Sequence, residues 1–508
     1  MRSFIHNHQN TTLLTTLQIV FAVLCYAFAS YYLVYCLHLD EHFQIIEFAN
    51  FKRGLLSQDQ LAWEYHARLR PSLQPALAYV LLNTMSFSGL TDPFSQAIVL
   101  RFLSALFFIF CSFRLYKSLG IEIKSAAFRY LFLFLSFFFY FFPISGTRFS
   151  SENTSACFFM LGFAYLYPLV RQVKLQRISP LQLLLAGVLF GISFLFRYQS
   201  AIMTAGLAMW LLVLHYRLIS SWLLMFGGFL LVFLVGILID RWFYSEWVFS
   251  AWNYFYVNLI EGKAANFGVQ PWHHYLGAID LSKWIRFVNL PVIGLLLFFL
   301  FTRPVHVVCW IFFPFLLFHF AVTHKETRFL YPILVFIPFL VSFSLAKIYS
   351  GLGRYRFFLL PFLGIALLIN CAAFVSTTFT NSNNTIEIFK YIRVLENKPV
   401  KIYYDTPEFF YTLNDGTKDL TPTFYKDDHQ VIMVKKQPGM LERISEIPVH
   451  SDTLSFVILD RWEEEKMKVK LPMVFDPQAG LVRTLNYRNW MRQHYQWKLY
   501  QLKPDAKD

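Results

Sequence analysis

Apolar runs close to twenty residues long recur along most of this chain, the pattern of a protein built to cross a bilayer many times. Clear cases are 13–36, 222–239 and, after a polar start, 328–346. Spans are expected near 12–36, 96–116, 125–143, 153–170, 181–196, 199–214, 219–239, 285–301, 304–322, 328–346 and 357–376, eleven in all. The segment 73–90 is apolar but broken by Pro75, Asn83 and Ser86, so it reads either as a crossing or as a re-entrant or interfacial piece. Only 15% of the residues are charged, against about 25% in soluble chains. The first run is too long for the apolar core of a signal peptide and reads as an uncleaved span.

Charge decides sidedness. Lys117, Lys124 and Arg129 flank one loop, Arg171, Lys174 and Arg177 another; Arg217 and Arg303 mark tight turns, and Lys347, Arg354 and Arg356 a third loop. With 73–90 not crossing, all five fall on one face, which the positive-inside rule makes cytoplasmic. The opposite face then receives 37–72, 144–151, the turn at Arg197, 240–284, 323–328 and the tail from 377. The N-terminus is expected in the cytoplasm and the C-terminus outside it. Topology thus accounts for the net charge of +14, and no basic stripe with interleaved aromatics calls for a nucleic-acid partner. The six cysteines, Cys36 among them, avoid the long outer loops and the tail and form no C-x-x-C pair, which argues against a disulfide framework.

The tail is polar and carries short strand-like runs at 400–404, 431–434 and 454–459. The fold class expected is therefore a polytopic α-helical membrane protein with a small C-terminal α/β domain outside the membrane. Its domains are a transmembrane module over 1–376, with a first outer loop 37–72 and a long outer loop 240–284, and a non-cytoplasmic domain over 377–508.

The outer face concentrates the polar chemistry. The first loop opens His38-Leu39-Asp40-Glu41-His42-Phe43-Gln44 and continues through Glu47 to Trp63-Glu64-Tyr65 and Arg70-Pro71. A carboxylate at a bilayer boundary is costly unless solvated or paired, and one held there can take a proton from a sugar hydroxyl. The plain alternative, ahead on these residues alone, is that Asp40 and Glu41 cap an emerging helix. Arg148 lies in a second turn, Gly146-Thr147-Arg148-Phe149-Ser150-Ser151-Glu152, and Arg197 in a turn with almost no loop around it. Arg197 either faces a cavity or snorkels to the headgroups, with nothing to choose between them. The long loop carries Pro271-Trp272-His273-His274-Tyr275, whose aromatics suit an interfacial belt as well as a sugar face, and whose His pair is not spaced as a helical metal site. The sharpest element is His324-Lys325-Glu326-Thr327-Arg328, polar residues in succession between two apolar helices. Lys325 and Arg328 can hold an anionic phosphate, with Glu326 orienting them; a solvated turn with an internal salt bridge is the alternative.

Carboxylates, cations and aromatics on one face are what transfer of a sugar from a lipid phosphate requires. In order over roughly 40–332, the segments Asp40-Glu41-His42-Phe43-Gln44, Leu61-Ala62-Trp63-Glu64-Tyr65, Leu69-Arg70-Pro71, 147–152, Phe196-Arg197, Asp240-Arg241-Trp242, Pro271-Trp272-His273-His274-Tyr275 and His324-Lys325-Glu326-Thr327-Arg328-Phe329 resemble those of the GT-C glycosyltransferases of family 22. Within that family the chain is most similar to the dolichyl-phosphate-mannose-dependent GPI mannosyltransferase III group. The resemblance implies a GT-C fold and an inverting, metal-independent mannosyltransferase without a cofactor. It implies a polyprenyl-phosphate sugar donor and a glycolipid or lipid-linked glycan acceptor. Asp40 would be the base with Glu41 beside it. Arg197, His324, Lys325 and Arg328 would serve the donor phosphate. His42, Gln44, Trp63, Glu64, Arg148, Trp272 and His273 would line the sugar and acceptor side. The membrane would be that of the endoplasmic reticulum in a eukaryote or the inner membrane in a bacterium. The sequence departs from the family at Ser150-Ser151-Glu152, where a Ser-Asn pair is usual, and at Tyr403-Tyr404-Asp405-Thr406-Pro407, where eukaryotic GPI members carry Cys-His-Ser-Thr-Pro. A bacterial relative acting on another lipid-linked or surface glycan therefore stays open. Two further readings compete. A lipid or sugar transporter would place charges mid-membrane at broken helices, and a membrane scaffold with a soluble tail would leave the His324–Arg328 turn without a purpose.

Overall fold

The structure, a computed structural model, describes residues 2–33, 38–172, 178–214, 219–275, 285–379, 385–395, 398–404, 411–412, 419–420, 422–425, 431–435, 444, 447, 449, 452–460, 463–464, 467, 470–476, 484–485 and 497–502. Lys174, Arg177, Arg217, Cys36, residues 276–284 of the long loop and Asp405-Thr406-Pro407 lie outside the described residues. The chain forms two compact units, one of Met1–Ser30, Ala67–Leu77 and Leu100–Thr378, the other of Tyr31–His66, Ala78–Val99 and Phe379–Asp508.

The first unit is helical. Apolar helices occupy all eleven expected segments, but they differ in reach. Among the described residues five are long and apolar enough to cross a bilayer: Thr12–Tyr32, Pro93–Glu122, Ser151–Arg171, Trp222–Tyr244 and Gly353–Phe379. The expected span 328–346 is a bent pair, Thr327–Leu334 with Ile337–Gly351, turned by 59°. Pro338, in the first turn of the second helix, has no N–H to carry the first helix onward. The helices Ala126–Phe138, Pro180–Phe196, Ser200–Leu214, Arg286–Thr302 and Val307–Ala321 are shorter. The core between these helices is aromatic, with Phe132, Phe137, Phe159, Phe163, Phe190, Phe299 and Phe339 all essentially inaccessible.

Close packing fixes the two helices that lead to Arg197 and Asp240. A Cβ at Gly187 would overlap the Met225 carbonyl oxygen, and one at Gly228 the carbonyl oxygen of Leu184. The helices Pro180–Phe196 and Ile219–Tyr244 therefore meet backbone to backbone, as small residues allow between membrane helices. The first ends at Arg197; the second carries Asp240 in its last turn.

The second unit contains a five-stranded sheet. Its strands are β1 Val400–Tyr404, β4 Val431–Lys435, β5 Leu454–Asp460, β6 Met473–Phe475 and β7 Trp497–Gln501, in the order β4-β1-β5-β7-β6. β1 runs parallel to β4 and β5, with Ile402 opposite Met433 and Phe456, and β7 is antiparallel to β5 and β6. Val400, Ile402 and Val457 are fully buried, as expected for parallel strands whose two faces are both covered. A two-stranded ribbon, β2 Tyr411–Thr412 with β3 Asp419–Leu420, stands apart.

The interrupted segment 73–90 forms the helix Leu73–Phe87. Pro75 does not break it, because it lies in the first turn, where a missing N–H costs nothing. Asn83 and Ser86 are there for Arg53, whose Nε donates to Asn83 at 3.1 Å and whose second terminal nitrogen donates to Ser86 at 3.0 Å.

Candidate active site

Each unit gathers part of the expected set. In the first unit, Arg197 follows the helix Pro180–Phe196 in an extended conformation, its N–H still closing the last helical turn on the Ser193 carbonyl. Its guanidinium lies 2.8 Å from Glu152 Oε1 and donates to the Ser151 hydroxyl at 3.2 Å. Arg328 approaches the same Glu152 oxygen at 3.7 Å and binds Glu326 at 2.5 and 3.1 Å. Both guanidiniums lie over the Phe329 ring, at 5.3 and 5.5 Å from its centre. Glu326 also holds His324, whose Nε2 is 2.9 Å from Oε1 while its Nδ1 faces the Gly268 carbonyl at 2.9 Å. The ammonium of Lys325 donates to the Gln270 carbonyl at 3.2 Å and to that of Val322. Glu152, Arg197, Lys325 and Arg328 are all nearly inaccessible.

Such a set of cations can hold an anion. Among the described residues, Arg197 and Arg328 lie on Glu152 and Glu326, and backbone carbonyls orient the Lys325 ammonium beside them. Glu326 raises the His324 pKa by its hydrogen bond, against an opposing effect of burial, with help from the Gly268 carbonyl. His324 therefore stays cationic to a higher pH than an ordinary imidazole. The segment bearing Trp272 and His273 is tied to this turn, since the Gln270 N–H donates to the Thr323 carbonyl at 3.0 Å. Trp272 itself is 65% exposed and His273 is exposed, so both are presented as a surface rather than packed into the cluster. Arg148 is buried beside Asn153, which donates to its carbonyl at 3.1 Å.

A further network of this unit centres on the buried Asp240, to which the sequence assigns no role. It accepts from the Ser72 N–H at 3.1 Å and from the Ser250 hydroxyl, which in turn stands 2.6 Å from the Tyr198 hydroxyl. Tyr244 donates to the Arg70 carbonyl at 2.9 Å. Segment 68–72 and the start of the long loop are thus fixed to one helix end, and with them the residue that follows Arg197.

In the second unit, Asp40 and Glu41 are half-buried in the short helical turn Leu39–Glu41. The chain then winds into a π turn, His42–Ile46, closed by the Glu47 N–H on the His42 carbonyl. This wider winding brings residues five apart onto the same turn, and His42 Nε2 sits 2.8 Å from Glu47 Oε1. Glu47 also accepts from the Thr423 hydroxyl at 2.7 Å and from the Phe424 N–H at 3.0 Å, while Asn50 lies at 3.5 Å. The His42 ring stacks on Tyr425, centres 5.5 Å apart. Burial pushes the Glu47 carboxyl up, but the charge and hydrogen bond of His42, with Thr423 and Phe424, outweigh it and hold the group below its ordinary value. Gln44 donates to Glu64 at 2.7 Å, both buried, and Trp63 is half-buried beside them in sequence.

The two clusters thus contain many of the sequence's candidate residues, but Glu152 and Glu47, on which they centre, carry no role in the sequence, nor do Thr423 and Phe424. Among the described residues, no group of three His, Cys, Asp or Glu side chains is placed to share a metal ion.

The chain is 35% identical over 158 residues to GPI mannosyltransferase 3 of Schizosaccharomyces pombe, an alignment covering 28% of each chain. It is 26% identical over 367 residues to GPI alpha-1,2-mannosyltransferase 3 of Mus musculus, covering 70% of this chain and 62% of the mouse protein. The chain thus spans less than two-thirds of the length of these curated relatives. Its fold resembles that of ArnT from Cupriavidus metallidurans in the apo state, with a TM-score of 0.50 at 13% identity over 97% of this chain and 98% of the other. The sequence pattern of the Alg9-like mannosyltransferase family matches residues 16–412, a stretch that holds both clusters, and the chain belongs to that family.

Proposed function

We propose that this protein is a multi-pass membrane glycosyltransferase that moves mannose from a polyprenyl-phosphate donor to a glycolipid or lipid-linked glycan, without a metal or other cofactor. The observation that carries the reading is the buried cluster of Arg197 and Arg328 on Glu152 and Glu326, with His324 and Lys325 in the same turn. A sugar leaving a phosphate puts negative charge on that phosphate, and preorganised cations away from water stabilise it most effectively. The acceptor hydroxyl attacks the anomeric carbon from the side opposite the phosphate, so the bond to the acceptor oxygen forms as the bond to the phosphate oxygen breaks, with inversion. Asp40 takes the hydroxyl proton, and Glu41 supports the charge there. Trp272 and His273 offer an exposed face to the sugar or acceptor, and His42, Gln44, Trp63, Glu64 and Arg148 serve the same side of the reaction.

The basic loops support a topology with the N-terminus in the cytoplasm and the cluster, the first outer loop and the tail on the other side. Eleven crossings follow if the five shorter helices and the bent pair each span the bilayer; Pro180–Phe196 and Arg286–Thr302 have 17 residues, and Ala126–Phe138, Ser200–Leu214 and Val307–Ala321 have 13, 15 and 15, against about 17–25 for a full span. The soluble domain outside the membrane is then the tail from about 377.

Membranes containing the full chain, given radiolabelled polyprenyl-phosphate mannose and a panel of acceptor glycolipids, are expected to yield labelled glycolipid. No incorporation into any acceptor, together with measurable donor or sugar flux across the membrane, would instead establish a transporter.

A further inference from the structure

Glu47 is 1% exposed, lies seven residues beyond Asp40, and is met by donors from its own π turn and from a tail segment more than 370 residues away. A buried carboxylate is an expensive way to hold two segments together, since an apolar pair of similar volume does so at least as well. What a carboxylate adds is direction: it fixes the His42 ring and the winding of the turn that begins at Leu39. The tail side contributes a hydroxyl, a backbone N–H and a stacked ring, Tyr425 on His42, so the turn is gripped from both ends.

We infer that Glu47 is a positioning residue that sets the carboxylates of Asp40 and Glu41 through His42 and the π turn, with tail residues Thr423 and Phe424 completing the grip. The C-terminal tail is then part of the catalytic machinery rather than an appended domain. Asn50 and Gln44, on the same stretch, secure its flanks through Glu47 and Glu64. The role rests on the mannosyl-transfer reading above.

The test uses the full chain in lipid nanodiscs, with labelled polyprenyl-phosphate mannose as probe and kcat and KM measured separately per folded molecule. Glu47→Gln keeps the shape and removes the charge. Its kcat is expected to fall about a hundredfold, as for a misplacement near 1 Å, with the donor KM little changed because the phosphate cations are untouched. Should Glu47→Gln not fold, Thr423→Val removes one donor from the tail side and is expected to show the same kcat-only loss at smaller size. A Glu47→Gln or Thr423→Val protein that retains wild-type kcat per folded molecule overturns the role of Glu47 and leaves the transfer reading standing. A wild-type protein that transfers nothing overturns the transfer reading and this role with it.

Discussion

The two clusters use the same residue types to opposite ends. Around Glu47, one carboxylate is satisfied by a histidine, a hydroxyl and a backbone N–H, and the result is a clamp. Around Glu152 and Glu326, the carboxylates orient two guanidiniums and His324, while Lys325 stands in the same turn on backbone carbonyls. Buried guanidiniums aligned by carboxylates are prepared for a further anion; a saturated carboxylate is prepared only to stay where it is. The difference between them lies in which groups meet the carboxylates, guanidiniums in one and a hydroxyl and a backbone N–H in the other, which a list of charged residues along the chain does not reveal.

Substitutions sharpen or break this contrast. The largest effect is expected at Asp40, because loss of the base removes about 10²–10⁴ of the rate. Asp40→Asn should abolish detectable transfer while the protein still inserts and binds donor; substantial turnover would sink the base assignment. Next comes the anion cluster. Arg328→Ala should lower kcat/KM by about 10²–10³ and weaken binding of polyprenyl phosphate itself, measured by equilibrium titration. The clamp variants, by contrast, should leave that titration unmoved.

A smaller effect is expected from pH. The hydrogen bond from Glu326 raises the His324 pKa above the ordinary imidazole value, near 6.5. The contribution of protonated His324 to phosphate binding, and of its Glu326 pair to stability, is thus fully present below about pH 6.5 and is lost as pH rises through the elevated value. Glu326→Gln should move that loss to lower pH; an unchanged binding–pH curve would contradict the pairing. The smallest change is expected at Trp272. It is 65% exposed, so Trp272→Ala should alter stability by less than about 0.5 kcal/mol while raising the acceptor KM. A marked drop in thermal stability would show a packing residue instead.

Much of this was legible in the chain. Long apolar runs marked a helix at every expected span, because an apolar segment in hydrocarbon must satisfy its backbone polar groups internally, as a helix does. It did not reveal that 328–346 is bent, since the break depends on Pro338 standing where a second helix starts. The turn His324–Arg328 stood out because polar residues between apolar helices need partners. The partners did not, as Glu152 lies 176 positions before Arg328 and reaches it only through tertiary packing. Glu47 was hidden for a similar reason. A π turn leaves no mark in composition, and its tail partners Thr423 and Phe424 are ordinary residues in a polar stretch.

The most direct test of the central claim replaces a guanidinium by a point charge of the same sign. Labelled mannose transfer from polyprenyl-phosphate mannose should be followed with the wild-type chain and with Arg328→Lys in the same nanodiscs. The wild type is expected to build a labelled glycolipid, and Arg328→Lys to lose at least about tenfold in kcat/KM, because an ammonium cannot reproduce the planar fork that spans Glu326 and a phosphate. Equal transfer by the two proteins, or none by the wild type with any acceptor, would contradict the account.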